Sequence, residues 1–157
     1  LVVGGVTAIG AAAHGAAIEE KALEKDPESF DVLYGLAKVA TQKKEFVKAD
    51  ELYEKMLKMR PGDIALLNDQ GILYLKMNDP GKALEVYRRL FKIDDRYAKG
   101  HVNAGLAYAF LEDADRALAE WTLALELDPK SESAAQNKKL LEEVMRGNRD
   151  EKNTPKQ

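Results

Sequence analysis

The sequence predicts an all-α fold, an α-solenoid of stacked helical hairpins, and three observations carry that prediction. Apolar residues recur three and four apart, as in Gly105, Tyr108 and Ala109 and again in Ala117, Trp121, Ala124 and Leu125. The break between those two segments is only Leu111-Glu112-Asp113-Ala114-Asp115, too short for anything but an antiparallel hairpin. Copies of the hairpin then recur along the chain at one constant spacing. Gly105 falls on Gly71, Tyr108 on Tyr74, Ala117 on Ala83 and Ala49, and Trp121 on Tyr87 and Tyr53. Leu125 falls on Phe91, Leu57 and Leu23, and Leu127 on Ile93 and Met59; Pro129 falls on Asp95, Pro61 and Pro27. One hairpin cannot bury its apolar faces alone, so several columns agreeing at one offset mark an array in which neighbours share a core.

Composition narrows what such an array can do. A chain of 157 residues with 45% hydrophobic residues suits one domain with a continuous core. The net charge of −3, with 32% charged residues of both signs, argues against a general nucleic-acid or anionic-lipid binder, which needs a basic excess. There is no cysteine, which removes disulfides, thiolate nucleophiles and Cys-ligated metals together.

The repeated columns resemble the tetratricopeptide repeat family, whose pattern sets a large residue, Leu-Gly, Tyr, Ala, an aromatic, Ala and Pro at fixed offsets. The resemblance covers three full repeats, residues 30–63, 64–97 and 98–131. It implies a right-handed solenoid that holds proteins and performs no catalysis, and it says little about which protein is held.

Residues 1–18, LVVGGVTAIGAAAHGAAI, contain no Asp, Glu, Lys or Arg. As a helix they would span about 27 Å, just under a hydrocarbon core of about 30 Å. Three readings fit: part of a transmembrane helix, an uncleaved signal-like segment, or a Gly/Ala-rich helix packed on protein. The chain does not begin with Met, which implies a natural start further upstream and favours the membrane anchor. Charge returns in residues 19–29, where Ala22, Leu23 and Pro27 share the register of the later second helices. These residues read as a half-repeat helix and linker. Their Glu19, Glu20, Glu24 and Asp26 outnumber Lys21 and Lys25, which leans the repeats toward the extracytoplasmic side, with a cytoplasmic location as the alternative.

In the first repeat Leu33, Leu36, Ala37 and Ala40 face Ala49, Tyr53 and Met56, around a turn at Gln42-Lys43-Lys44. Pro61 ends the repeat, and Asp63 is placed to cap the next helix. The second sets Leu67, Gly71 and Tyr74 against Ala83, Tyr87 and Leu90, turning at Asn78-Asp79-Pro80-Gly81. Asp95 replaces its terminal proline, which predicts a more helical or less kinked link into the third repeat. A capping helix over residues 132–146 follows, with Ser131 or Ser133 as its cap. Ala135, Leu140, Leu141 and Val144 are expected inward, and Asn137, Lys138, Lys139, Glu142 and Glu143 outward as a polar cover. Residues 147–157 lack any large apolar residue and read as a disordered tail.

No catalytic constellation exists: His14 and His101 lie in different segments, and no metal-ligand or nucleophile motif accompanies them. No cofactor or metal is therefore expected. His101 and Trp121 both fall in packing columns. The family resemblance implies a concave groove lined by the first helix of each repeat. Its groove positions fall here on Tyr34 and Lys38, then Asn68, Asp69, Ile72 and Leu75, then Lys99, Val102, Asn103, Leu106 and Phe110. Ile72, Leu75, Val102, Leu106 and Phe110 make an apolar stripe while Lys38, Asn68, Lys99 and Asn103 supply polar contacts, a mixture that suits an amphipathic helix or tail of a protein partner. Some family members clamp a C-terminal carboxylate; Lys99 matches one clamp position, but Tyr34, Asp69 and Asn103 depart from the others.

The expected function is a non-catalytic interaction scaffold, tethered to a membrane through residues 1–18, that takes part in assembling or stabilising a larger membrane complex. The alternatives are a permanent structural subunit of such a complex and a self-assembling homo-oligomer. No nucleic acid is expected among its partners.

Overall fold

The computed structural model describes residues 29–153, and among them the chain forms seven α-helices and no strand. They are α1 (Phe30–Gln42), α2 (Phe46–Met59), α3 (Ile64–Lys76), α4 (Pro80–Phe91), α5 (Ala98–Phe110), α6 (Ala114–Leu127) and α7 (Glu132–Asn153). They divide between two compact units. The first ends at Pro61 and holds α1 and α2; the second begins at Gly62 and holds α3 to α7. Residues 1–28, and with them the apolar segment and the half repeat, lie outside the described residues.

Each hairpin turns by the same device. Lys44, Asn78 and Glu112, which occupy one column of successive repeats, are the residues other than glycine with positive φ among the described residues, at 62°, 58° and 59°. A left-handed residue after a helix lets the following N–H reach back to the last turn. Glu45 N donates to Ala40 O (2.8 Å), Asp79 N to Tyr74 O (2.9 Å) and Asp113 N to Tyr108 O (3.0 Å). The next helix then starts at once. The carboxylates of Asp79 and Asp113 cap α4 and α6 by accepting from Lys82 N and Arg116 N, each at 3.1 Å. Asp63 caps α3 in the same way, accepting from Leu66 N at 3.1 Å, as its sequence position predicts.

In the first unit Leu33, Ala37 and Ala40 are buried with Ala49, Tyr53, Met56 and Leu57. The Arg60 guanidinium, just past the end of α2, sits 3.6 Å from the centroid of the Phe30 ring at the start of α1. That stacking ties the two open ends of the hairpin together. The core of the second unit runs from Leu66, Leu67 and Leu73 through Ala83, Tyr87 and Leu90 to Ala104, Ala107, Ala117 and Trp121. A buried cluster of Val102, Ala124 and Ala134, with Leu125 against it, joins α5, α6 and α7.

Three local expectations need correction. The link after α4 is not more helical: α4 stops at Phe91, and residues 92–97 form turns. There the Asp94 carboxylate accepts from Arg96 N (2.9 Å), a local bond that competes with helix continuation. On α7 the inward face is displaced. Ala134 is fully buried and Asn137, Lys138, Leu141 and Met145 are partly buried, whereas Ala135, Leu140 and Val144 are exposed. Finally, α7 continues to Asn153, past the expected end near residue 146 and into the segment read as a tail. No proline interrupts that run, and one glycine costs a helix only about 1 kcal/mol. Ser131 is the cap, its hydroxyl accepting from Ala134 N at 3.4 Å.

Candidate partner-binding face

The first helices α3 and α5 are held at close range by a glycine opposite a large ring. A Cβ on Gly71 would meet the Tyr87 ring at 2.5–2.8 Å, and one on Gly105 would meet Trp121 Cδ1 at 2.6 Å. Trp121 also donates from Nε1 to the Val102 carbonyl at 2.9 Å, so a buried indole is both packed and hydrogen-bonded. At the other end of each hairpin a cation lies over the tyrosine: Lys82 Nζ is 5.5 Å from the Tyr74 ring centroid, and the Arg116 guanidinium is 5.0 Å from that of Tyr108. These interactions orient the remaining faces of α3 and α5.

The sequence-derived groove residues distribute unevenly over those faces. Tyr34 and Lys38 belong to the first unit, where Tyr34 is half-buried and Lys38 Nζ lies 4.9 Å from its ring centroid. In the second unit Ile72, Leu75 and Leu106 are half-buried, while Phe110 and Lys99 are exposed. Asn68 and Asn103 meet directly, Asn103 Nδ2 donating to Asn68 Oδ1 at 3.0 Å, which ties α3 to α5. Two of the residues are not free surface. Asn68 is buried within that amide pair, and Val102 is buried in the cluster that docks α7. Both are packed against a neighbouring helix and leave little surface open to a partner.

Asp69 is half-buried on this part of the face. Burial raises the Tyr87 phenol far above its ordinary value; the Asp69 charge adds to the rise, and the Asn103 amide opposes it. Tyr97 is raised too, by burial first and then by Asp69 and Asp94.

The last helix supplies residues that the sequence reading had turned inward. Leu140 and Val144 continue the columns of Leu106 and Phe110 one repeat further on, and are 63% and 51% exposed. Phe110 itself is 54% exposed. The columns that close a hairpin in the earlier repeats, Gly71 with Gly105 and Tyr74 with Tyr108, become Lys139 and Glu142 on α7. Lys139 pairs instead with Glu143, at 3.9 Å on an exposed surface. Thus α7 is polar where a second helix would dock and apolar in the columns of Leu106 and Phe110. The register of the repeat was the signal that places Leu140 and Val144, and simple apolarity obscured it.

His101 is buried in the third hairpin. Its Nδ1 lies 2.7 Å from Glu120 Oε2, its Nε2 lies 2.8 Å from the Asp95 carbonyl, and its ring stacks on Phe91 with centroids 4.2 Å apart. Burial is the largest single influence on its pKa and would lower it. Hydrogen bonds to Glu120 and to Asp95, with the charges of both, outweigh burial and raise it above the ordinary histidine value. Among the described residues no three His, Asp or Glu side chains are grouped to hold a metal ion. The arrangement of the second unit is suited to holding a protein surface.

Comparison with known proteins agrees with this architecture. The family described as tetratricopeptide repeat matches residues 11–64 and 68–132. The human protein O-mannosyl-transferase TMTC3 is 31% identical over 117 residues, which cover 73% of this chain and 13% of that protein. This chain spans between 13% and 25% of the length of the curated relatives it matches. The crystal structure of the Sgt2 TPR domain from Aspergillus fumigatus superimposes with a TM-score of 0.74 at 21% identity, covering 82% of this chain and 86% of that one. The second TPR domain of human RPAP3, solved in complex with the HSP70 peptide SGPTIEEVD, gives 0.65 at 18% identity, covering 70% and 92%.

Proposed function

Because this chain belongs to the tetratricopeptide repeat family, we propose that it is a non-catalytic interaction scaffold that receives an amphipathic helix or tail of a partner protein. The receiving face is in the second unit: Ile72 and Leu75 on α3, Leu106 and Phe110 on α5, and Leu140 and Val144 on α7. The observation that carries this reading is the selective apolarity of α7. A terminal helix needs only polar residues outside its packed face, yet α7 exposes Leu140 and Val144 in the columns of Leu106 and Phe110. Grouped exposed apolar side chains on a monomeric surface commonly mark an interaction site.

The partner is expected to be apolar along one side rather than acidic. The RPAP3 domain was solved with an acidic tail peptide, whereas Asp69 opposes negative charge here and Lys99 is an isolated match to a carboxylate clamp. Residues 1–18 are proposed to tether the scaffold to a membrane, where the captured partner would be a component of a membrane complex under assembly. Among the described residues no helix is long and apolar enough to cross a membrane, so the tether rests on the uncharged composition of residues 1–18 alone.

The test is co-purification of the full chain from its native membrane, compared with Leu106→Glu/Phe110→Glu and Leu140→Glu/Val144→Glu. Substitutions at exposed positions change stability by only about 0.5 kcal/mol, so helical content and melting should hold in the Leu140/Val144 pair. Both pairs should lose a partner that the wild type retains. If both retain it while folded, the face assigned here is wrong.

A further inference from the structure

The third hairpin contains a polar pair, a buried His101 and a part-buried Glu120, in columns that are otherwise apolar. His101 of α5 stands where the earlier repeats have Leu33 and Leu67, and Glu120 of α6 stands where they have Leu52 and Val86. Leu33, Leu67 and Val86 are all buried, so the fold fills these columns with hydrocarbon without difficulty. A buried ion pair stabilises no better than well-packed apolar residues of similar size, and often less. Packing therefore does not account for the exchange of both residues together.

Geometry does. The Asp95 carbonyl at 2.8 Å from Nε2 can only accept, so that nitrogen must carry a proton. The Glu120 carboxylate at 2.7 Å from Nδ1 is an acceptor when ionised, so the second nitrogen carries one too. With Glu120 ionised, only the imidazolium satisfies both neighbours. A neutral ring has one N–H and leaves one acceptor facing a nitrogen lone pair, inside a site where the histidine is 5% exposed. The groups facing the ring are Glu120 from α6, Asp95 from the α4–α5 link and the uncharged Phe91 ring from α4.

We propose that His101 and Glu120 form a proton-dependent clip: the imidazolium fastens α5 to α6 and to the α4–α5 link, and loss of its proton loosens the third hairpin. The clip stands whether or not that hairpin binds a partner. Its raised folded-state pKa gives the sign. A group protonated more readily when folded contributes stability that is fully present below its unfolded value, about 6.5 for histidine, and lost as pH rises through the folded value. The clip thus makes the third hairpin firmest in mildly acidic surroundings.

Trp121 is the chain's single tryptophan and follows Glu120 directly, so its fluorescence reports this hairpin. Urea midpoints of the full chain should be measured from about pH 5.5 to about pH 8.5, a range that brackets the ordinary histidine value of about 6.5. The wild-type midpoint should fall across that range. His101→Leu/Glu120→Val, which restores the side chains of the second repeat, should show a decline much smaller than the wild type or none, whatever its absolute stability. Nitrogen NMR of the His101 ring in the wild type should show both nitrogens protonated near pH 6, with a titration midpoint that Glu120→Gln lowers. A neutral His101 ring near pH 6 would overturn the clip. So would a double variant that declines as steeply as the wild type. If the double variant does not fold, the ring titration decides alone.

Discussion

Replacing Gly105 by alanine should destabilise the protein, although alanine is ordinarily the better helix former. The added methyl would lie 2.6 Å from Trp121 Cδ1 and 2.8 Å from Cε2. Those atoms belong to a rigid indole that is 3% exposed, so no flexible chain end can swing aside. Either the indole shifts and stretches its 2.9 Å hydrogen bond to the Val102 carbonyl, or α5 and α6 separate. Overpacking of this kind costs about 1–3 kcal/mol, and losing the buried hydrogen bond adds about 1 kcal/mol. The intrinsic preference of alanine over glycine in a helix returns about 1 kcal/mol. The net expectation is a loss of about 1–3 kcal/mol, read as a lower urea midpoint at unchanged slope. Gly81→Ala is the control: on α4 its Cβ would meet nothing nearer than Asp79 Oδ1 at 3.7 Å, and it should be neutral or mildly stabilising. If Gly105→Ala matches or exceeds the wild type, the close glycine–tryptophan contact does not hold the third hairpin together.

The turn column offers the opposite sign. Lys44→Gly and Glu112→Gly should each stabilise by up to about 1 kcal/mol, because both native residues occupy the left-handed region, with φ of 62° and 59°, where glycine is unstrained. Thermal unfolding of the single variants would show this, and Asn78→Gly should gain less because asparagine tolerates that region. The proposed membrane tether predicts that the chain from Leu1 needs detergent to remain in solution, whereas one beginning at Asp26 does not. Equal solubility of the two as monomers would remove the tether.

Much of this architecture can be read from the repeated columns, because a helical hairpin is a local structure. Its turn, its cap and its glycine–aromatic contact are set by residues within about one repeat of one another. Asp63 caps a helix where the sequence places it. The burial of Val102 and Asn68 is not legible in the repeat, because a residue's exposure depends on which neighbour packs over it. Here that neighbour is the cluster around Ala134 for one and the amide of Asn103 for the other.

The chain by itself determined the all-α class, the three hairpins and the residues that close each of them. Only the tertiary structure decided which way α7 faces and what His101 touches. Successive residues of a helix point about 100° apart, so exchanging Ala135 for Ala134 as the inward residue turns Leu140 and Val144 from core to surface. The partners of His101 lie 6 and 19 residues away along the chain, on a link and on another helix. Periodicity marks a column as packed, but the protonation of a side chain within it is set by the acceptors that folding brings against its two nitrogens.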